Sequence, residues 1–449
     1  MKPFHSQLCF QMNYKFLFIF IPFLVFAEEI EIRLKTVANS KPIYLAKTYT
    51  DEPYFEELRS VLEFDLNTGG FAVVLPTHAA WEEALHMADV KRHFNLNTWK
   101  LEKVPFIICS AVDGKSLRVT VFDIEKGSSK SYEGIDIIGQ IDVDRKQIHK
   151  LSDAIHKDLF GLEGVASCRL IYSLRENKGD AGFRSEIFLS DFDGANTRQL
   201  TFENDYCVTP CFPPHTMGLT DFTFFFVSYK TGQSKIYRSM SSEKKSEAIF
   251  DLGGNQLLPA LNAKASAMAF ITDVAGRPDL FVQNFDVVGR VYGKPKQVYT
   301  APRATQASST FSPDGKKIAF VSDKDGPPRI YLIDLNNTRK VRPQMLTKKN
   351  RENTSPSWSA DGKKLAYSAK VDGVRQIWIY NFETEEEIAL TTGPQNKENP
   401  SWAPDSFHLA YNTDNEEAGE LFLINLNQKT PVKISKGLGQ KRFPYWETR

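Results

Sequence analysis

The sequence carries almost no excess charge: 56 Lys and Arg stand against 55 Asp and Glu, a formal net charge of +1 over 449 residues. No basic block interleaved with aromatic residues occurs, so a nucleic-acid partner is not expected. Long hydrophobic runs are lacking as well. The run from Phe16 to Phe26 covers eleven residues, too few to cross about 30 Å of hydrocarbon as a helix. No other segment approaches spanning length. Cysteine is sparse, at five residues. Hydrophobic residues make up 41% and charged residues 25%, the composition of a globular chain long enough for two or three domains.

What the short apolar run does offer is a leader. Lys15 precedes it, Ala27 follows it, and Glu28-Glu29 begins a different composition. A basic residue, an apolar stretch of about 7–15 residues and a small residue at the cut describe a secretory signal peptide. Val25 and Ala27 fit the −3 and −1 positions, so residues 1–27 read as the signal and the remainder as exported and not membrane-spanning. A membrane anchor is the competing reading, and the length of the run speaks against it. Translation from Met12 would also leave a complete signal. Cys9 departs with the leader; Cys109, Cys168, Cys207 and Cys211 remain. Disulfides are permitted in an exported chain. Cys207 and Cys211, four apart on an expected strand, stand about 13 Å apart and cannot bridge unless the strand bends. The bland reading is small buried hydrophobes.

Proline and tryptophan recur in one phrase. Thr209-Pro210-Cys211-Phe212, Ser355-Pro356-Ser357-Trp358, Asn399-Pro400-Ser401-Trp402 and Phe443-Pro444-Tyr445-Trp446 are variants of it. Aligned on the last residue, the series is Phe212, Leu261, Phe311, Trp358, Trp402 and Trp446, at intervals of 49, 50, 47, 44 and 44. A period of 40–50 residues holding several strands signals a β-propeller blade. The clearest unit has strands at Pro356–Ser359, Leu365–Ser368, Gln376–Asn381 and Ile388–Thr391, with a tight turn at Asp361-Gly362. The unit before it repeats the turn at Asp314-Gly315, where glycine supplies a positive φ at little cost. The last unit has Asp405-Ser406 instead, and the third has Ala263-Lys264. The first unit has strands at Arg169–Ser173, Glu186–Asp191 and Arg198–Thr201 but no Pro-x-Trp strand of its own. Phe443 to Trp446 is expected to supply it, closing six blades into a ring without open edges. The expected fold is an all-β six-bladed propeller of WD40-like type over residues 163–449, preceded by a small α/β domain over 28–162.

In that first domain, Pro42–Tyr49 and Phe71–Leu75 read as strands, and Val104–Val112 with Leu117–Ile124 as a hairpin. Asp51, Thr77 and Asp144 read as helix starts, the last helix stopping at Gly161. His86 and His93, and His149 and His156, are seven apart; each pair shares a helix face but lies two turns apart, so surface histidines are the default. Ahead of the domain, Glu29-Ile30-Glu31-Ile32-Arg33-Leu34 alternates charged and apolar residues. That pattern suits a strand with one buried face. It serves equally as an edge strand of its own domain or as a segment pairing with a partner's sheet.

The order of signal, α/β domain, Ser-Pro-Asp-Gly-Lys-Lys blades and Pro-x-Trp terminal strand resembles the TolB family of the Tol–Pal system. The junction Leu159-Phe160-Gly161-Leu162-Glu163-Gly164 and the first-blade stretches Leu170–Ser173 and Ser190–Gly194 carry the same resemblance. It implies a TolB-type propeller in the periplasm with no enzymatic activity, supporting outer-membrane integrity and envelope constriction during division. It further implies that the propeller binds the lipoprotein Pal, with other outer-membrane lipoproteins open as partners, and that the mature N-terminus binds TolA. On that basis Glu29, Ile30, Glu31, Ile32, Arg33 and Leu34 become TolA-binding candidates. The loops entering the Pro-x-Trp strands become the Pal face, with candidates Asn255, Arg303, Thr305, Arg351, Glu352, Asn353, Lys397, Glu398 and Asn399. Taken singly, each is ordinary solvated loop polarity; as a rim they make a polar interface.

An enzyme finds little support. A peptidase of the kind that follows some propellers needs a Gly-x-Ser-x-Gly elbow, and none occurs. His215 and His408 stand alone on different blades, so neither a triad nor a histidine metal cluster can form within the ring. No cofactor is expected, with one opening left: a cation such as calcium in the central tunnel, held by backbone or carboxylate oxygens. The alternative function is a secreted propeller that binds or processes a small ligand in that tunnel.

Overall fold

The computed structural model describes residues 40–448 except 49, 51, 92–95, 178, 180–181, 287–289, 337–341, 416–417 and 429, with backbone alone at 88–91, 96 and 98. The leader, the helix start expected at Asp51 and the six residues Glu29, Ile30, Glu31, Ile32, Arg33 and Leu34 lie outside the described residues.

The α/β domain runs β1 (Lys41–Leu45), α1 (Pro53–Thr68), β2 (Ala72–Val74), α2 (Ala79–Lys91), α3 (Leu96–Leu101), β3 (Phe106–Asp113), β4 (Ser116–Asp123), β5 (Ser128–Asp136) and α4 (Ile141–Phe160). Its sheet has the order β2-β1-β3-β4-β5, with β1 parallel to both neighbours. Alternation along β1 sends Ile43 and Leu45 to one face and Tyr44 and Ala46 to the other. The first face packs under α1 and α4 through Phe55, Leu58, Leu62, Ile148 and Ile155. The second packs against α2 and α3 through Leu85 and Trp99.

Several boundaries differ from the sequence expectation. β1 stops at Leu45, short of Tyr49. α4 begins at Ile141, because Asp144 sits inside the first turn and its carboxylate accepts the backbone N–H groups of Ile138, Gly139 and Gln140 at 2.8 to 3.2 Å. Its end at Gly161 is as expected, in the left-handed conformation at φ 70.

From residue 169 on, the described strands form six four-stranded antiparallel sheets. Strand 440–446 pairs with Arg169–Asn177, so the last strand completes the first blade and shuts the ring. The apolar cores lie between neighbouring blades. Ile377 and Ile379 of blade five meet Trp402, Tyr411 and Ile424 of blade six. Trp446 and Leu170 of blade one meet Leu421 and Leu423 of blade six, sealing the closure.

Each innermost strand carries one extra residue at the same height, a β-bulge. In five blades the bulge is the residue-proline pair of the repeated phrase. Thr209, Leu258, Ser355, Asn399 and Phe443 have φ between 47 and 56, each directly before a proline. Non-glycine residues seldom adopt this conformation. The fourth blade bulges between Ala307 and Ser309 without a proline. In the second blade the extra residue flips the side-chain alternation. Cys207 therefore faces blade one and Cys211 faces blade three, and the two are buried free thiols. Burial pushes both thiols up, Cys211 to about 12, which leaves them inert.

Candidate functional site

The bulges define the axis of the ring. A cavity of about 450 Å³ is lined there by Pro210, Pro259, Pro356, Pro400 and Pro444 together with Ser308, Ser309, Ser355 and Asn399. An innermost strand presents its free edge to the tunnel, and proline there removes a donor that would otherwise invite another strand. Several of the polar groups join strands and blades. Ser355 Oγ donates to Asn399 Oδ1 at 3.0 Å, and Asn399 Nδ2 to Asn412 Oδ1 at 2.9 Å. The backbone N–H of Trp446 donates to Ser401 Oγ, as Trp402 does to Ser357 Oγ. No Asp or Glu lines the cavity, and His215 is the only imidazole among its lining residues. A cation in the tunnel would meet hydroxyl, amide and carbonyl oxygens.

Antiparallel strands place the loops before each first strand, and those between second and third strands, on one face. The remaining turns lie on the other. The α/β domain covers part of that second face, over blades six and one. Thr68 O accepts from Asn425 Nδ2 at 3.0 Å and lies 2.8 Å from His408 Nε2, while Gly70 O accepts from Asn427 Nδ2 at 3.0 Å. Phe71 and Phe407 pack with ring centroids 4.8 Å apart. A Cβ on Gly70 would stand 2.6 Å from the Phe407 ring, and φ there is 80, so this approach requires glycine. Asn196 Nδ2 donates to Asp142 O, and Arg145 pairs with Asp193.

The first face holds the expected rim, and its nine residues divide by burial. Arg303, Thr305 and Arg351 are exposed. Asn255, Glu352, Glu398 and Asn399 are half-buried. Asn255 binds Asp273 through Nδ2 at 2.7 Å and accepts from Ser234 Oγ. Arg375 lies between Glu352 and Glu398, at 3.7 and 3.1 Å; burial nevertheless raises the Glu398 carboxyl. Asn399 turns into the tunnel.

Asn353 and Lys397 do not belong to a contact surface. Asn353 is fully buried and donates to Thr347 Oγ1 and Asn350 O. Lys397 is buried with Nζ on Gln376 Oε1 and Thr392 O, at 3.1 and 2.9 Å. Both sit at the start of an innermost strand, and their side chains turn in to bind carbonyl oxygens of the preceding loop. The same face also presents Leu438, 93% exposed between Gly437 and Gly439, and Phe183, whose ring lies 3.8 Å below the Arg175 guanidinium. Polarity-based reading passes over both; a leucine flanked by glycines in a loop is the available signal.

The histidines of α4 are corrected as well. His149 and His156 are buried, not on the surface. His149 Nδ1 lies 2.8 Å from Asp65 Oδ2.

The family model of the TolB beta-propeller domain matches residues 156–449. The chain belongs to the TolB family. A TolB homolog of Protochlamydia amoebophila is 39% identical over 384 residues, 83% of this chain and 81% of that one. One from Chlamydia pneumoniae is 34% identical over 403 residues, covering 87% and 85%. The crystal structure of TolB from Acinetobacter baumannii matches with a TM-score of 0.73 and 23% identity, over 91% of this chain and 97% of that one. At that identity the likeness bears on the fold, a propeller behind a small α/β domain. Among the described residues, no helix is long and apolar enough to cross a membrane.

Proposed function

We propose that this TolB-family chain is a non-enzymatic scaffold of the Tol–Pal system, exported to the periplasm. In this reading the open propeller face binds the lipoprotein Pal, residues 28–40 bind TolA, and the two contacts together support outer-membrane integrity and constriction at division. The observation that carries the reading is the division of the ring into two unlike faces. One is partly occupied by the α/β domain through Thr68, Gly70 and Asp142. The other leaves Arg303, Thr305, Arg351, Phe183 and Leu438 exposed to solvent. A polar rim with a few apolar anchors is the composition of a protein-binding patch. A tunnel with no carboxylate and a single imidazole in its lining supports a non-catalytic role.

Calorimetry with the mature chain and purified Pal tests the first contact. Saturable 1:1 binding, weakened by Arg351→Glu, is expected. No binding to Pal, with a small molecule retained in the tunnel instead, would overturn the scaffold reading. Deleting residues 28–40 should abolish TolA binding and leave Pal binding intact. If TolA binding survives, the segment is an ordinary edge strand.

A further inference from the structure

At the boundary between the α/β domain and blade one, five ionisable side chains pack together. Asp65 comes from α1 and Arg145 and His149 from α4. Asp191 ends the third strand of blade one and Asp193 lies in the turn after it. Asp65 Oδ2 is 2.8 Å from His149 Nδ1. An ionised carboxylate only accepts, so it holds a ring proton on Nδ1 and leaves Nε2 as the position that a second cation, proton or metal, can occupy. His149 is 1% exposed, and Nε2 has no hydrogen-bond partner. It faces carboxylates: Asp193 Oδ2 is 3.9 Å away, and one ligand atom each of His149, Asp191 and Asp193 lie within 4.8 Å of one another.

The Arg145 guanidinium offsets the Asp193 charge, yet nothing bonds Nε2 itself. Either a proton on Nε2 or a metal ion can fill that position, and only a metal would bond all three side chains. An N–H···O bond spans about 2.7–3.2 Å, so at 3.9 Å a proton on Nε2 would give an ion pair with Asp193 but no hydrogen bond. Metal bonds of about 2.0–2.2 Å set two ligands of one ion roughly 3 to 4.3 Å apart. We propose that His149, Asp191 and Asp193 bind one divalent first-row transition ion, zinc or manganese in kind, across the domain boundary.

The surroundings suit such an ion. Asp65 stands behind His149 as the carboxylate that orients a ligating imidazole. Arg145 occupies one lone pair of Asp193 Oδ2, and a carboxylate offers about four. The Phe192 ring meets His149 edge-on at 5.5 Å and walls the site with hydrocarbon. One imidazole with two carboxylates favours a first-row ion over calcium or magnesium, which take oxygen alone. Its ligands come from both domains, so the ion would fix their docking.

The test is calorimetry of the chelator-stripped mature chain with zinc chloride, and with magnesium chloride as control. One zinc per chain is expected, with a raised thermal midpoint and no comparable magnesium binding. His149→Gln should weaken zinc binding at least tenfold, and Asp65→Asn by about 10–100-fold. Absence of stoichiometric zinc binding, or equal affinity in His149→Gln, overturns the proposal. Because buried variants can misfold, anomalous diffraction at the zinc edge on the unmutated chain decides independently. A peak among the three ligand atoms supports the site; a peak elsewhere, with Nε2 protonated, overturns it.

Discussion

His408 Nε2 lies 2.8 Å from the carbonyl oxygen of Thr68, joining blade six to a helix 340 positions earlier in the chain. The other ring nitrogen, Nδ1, lies 2.6 Å from Asp405 Oδ2. Both neighbours accept and neither donates, so both nitrogens carry protons and the ring is an imidazolium. Burial opposes that charge, but Asp405, the Thr68 carbonyl and Asp153 of α4 outweigh it and raise the His408 pKa. Domain docking thus rests on a protonated histidine.

A raised folded pKa means that the folded state holds the proton more tightly than the unfolded chain. The resulting stability is complete below about pH 6.5 and is lost as pH rises through the folded value. Asp405 is shifted the other way: burial raises its carboxyl, but His408 and two backbone N–H groups bring it below the ordinary range. It therefore titrates on the acid side of this window. The thermal midpoint should fall between pH 6 and pH 9, and the fall should be smaller in His408→Gln. An identical slope in wild type and variant would remove His408 from the account.

This contact also marks what the sequence could reveal. Each blade repeats its strands and turns within 44 to 50 residues, so period alone exposes the ring and its closure by Trp446. The bulge is legible in hindsight, since a proline within a strand calls for one. The domain boundary is not. Asp65, His149, Asp193 and His408 are polar residues in surface-like patterns, and each is buried by a partner that local sequence does not announce. β5 is missed for the opposite reason: Ser128–Asp136 is mostly exposed and has no apolar alternation. Among the rim candidates, loop position identifies Arg303 and Arg351 correctly as exposed. It cannot tell that Asn353 and Lys397 turn inward.

The third blade lacks the Asp-Gly turn yet makes the same turn. Asn262 N–H donates to Ala267 O and Ala265 N–H to Asn262 O, the bonds that Ser312 and Gly315 make in blade four. Ala265 stands where glycine stands in blades four and five, at φ 51. A non-glycine residue there costs about 1–2 kcal/mol, partly offset by the entropy glycine loses on folding. Ala265→Gly should therefore stabilise by up to about 1 kcal/mol, a rise of up to about 2 °C in midpoint. A lowered midpoint would mean that Ala265 makes a packing contact worth more than its strain.

Glu447, fully buried, pairs with Arg169 at the closing seam. Arg169 also donates its backbone N–H to Glu447 Oε2 at 3.2 Å and stacks 4.5 Å over the Phe222 ring of blade two. Burial raises the Glu447 carboxyl despite this partner, so Arg169→Ala strands a poorly solvated acid. Loss of about 3 kcal/mol or more in urea unfolding is expected. Replacing both residues, as Arg169→Met with Glu447→Leu, should recover much of it. Removing the last seven residues, 443–449, takes away half of the closing strand as well and should unlatch the ring. Full stability in that truncation would refute closure as a source of stability.

Leu438 separates a binding role from a folding role on the open face. It is 93% exposed, and the positive φ of Gly437 and Gly439 lets the loop carry its side chain outward. Replacing it by aspartate removes no buried contact, so Leu438→Asp should leave the midpoint within about 0.5 kcal/mol of wild type. If this face receives Pal, the same change sets a charge into the apolar part of the interface and should weaken binding by tenfold or more. Lys397→Ala should behave in the reverse manner. It removes the buried ammonium that binds Gln376 Oε1 and Thr392 O and the packing of its stem, lowering stability by about 1–3 kcal/mol, and alters binding only through the fold. Measuring midpoint and Pal affinity together on both variants distinguishes the two. Unchanged affinity in Leu438→Asp would move the docking site off this sector of the rim.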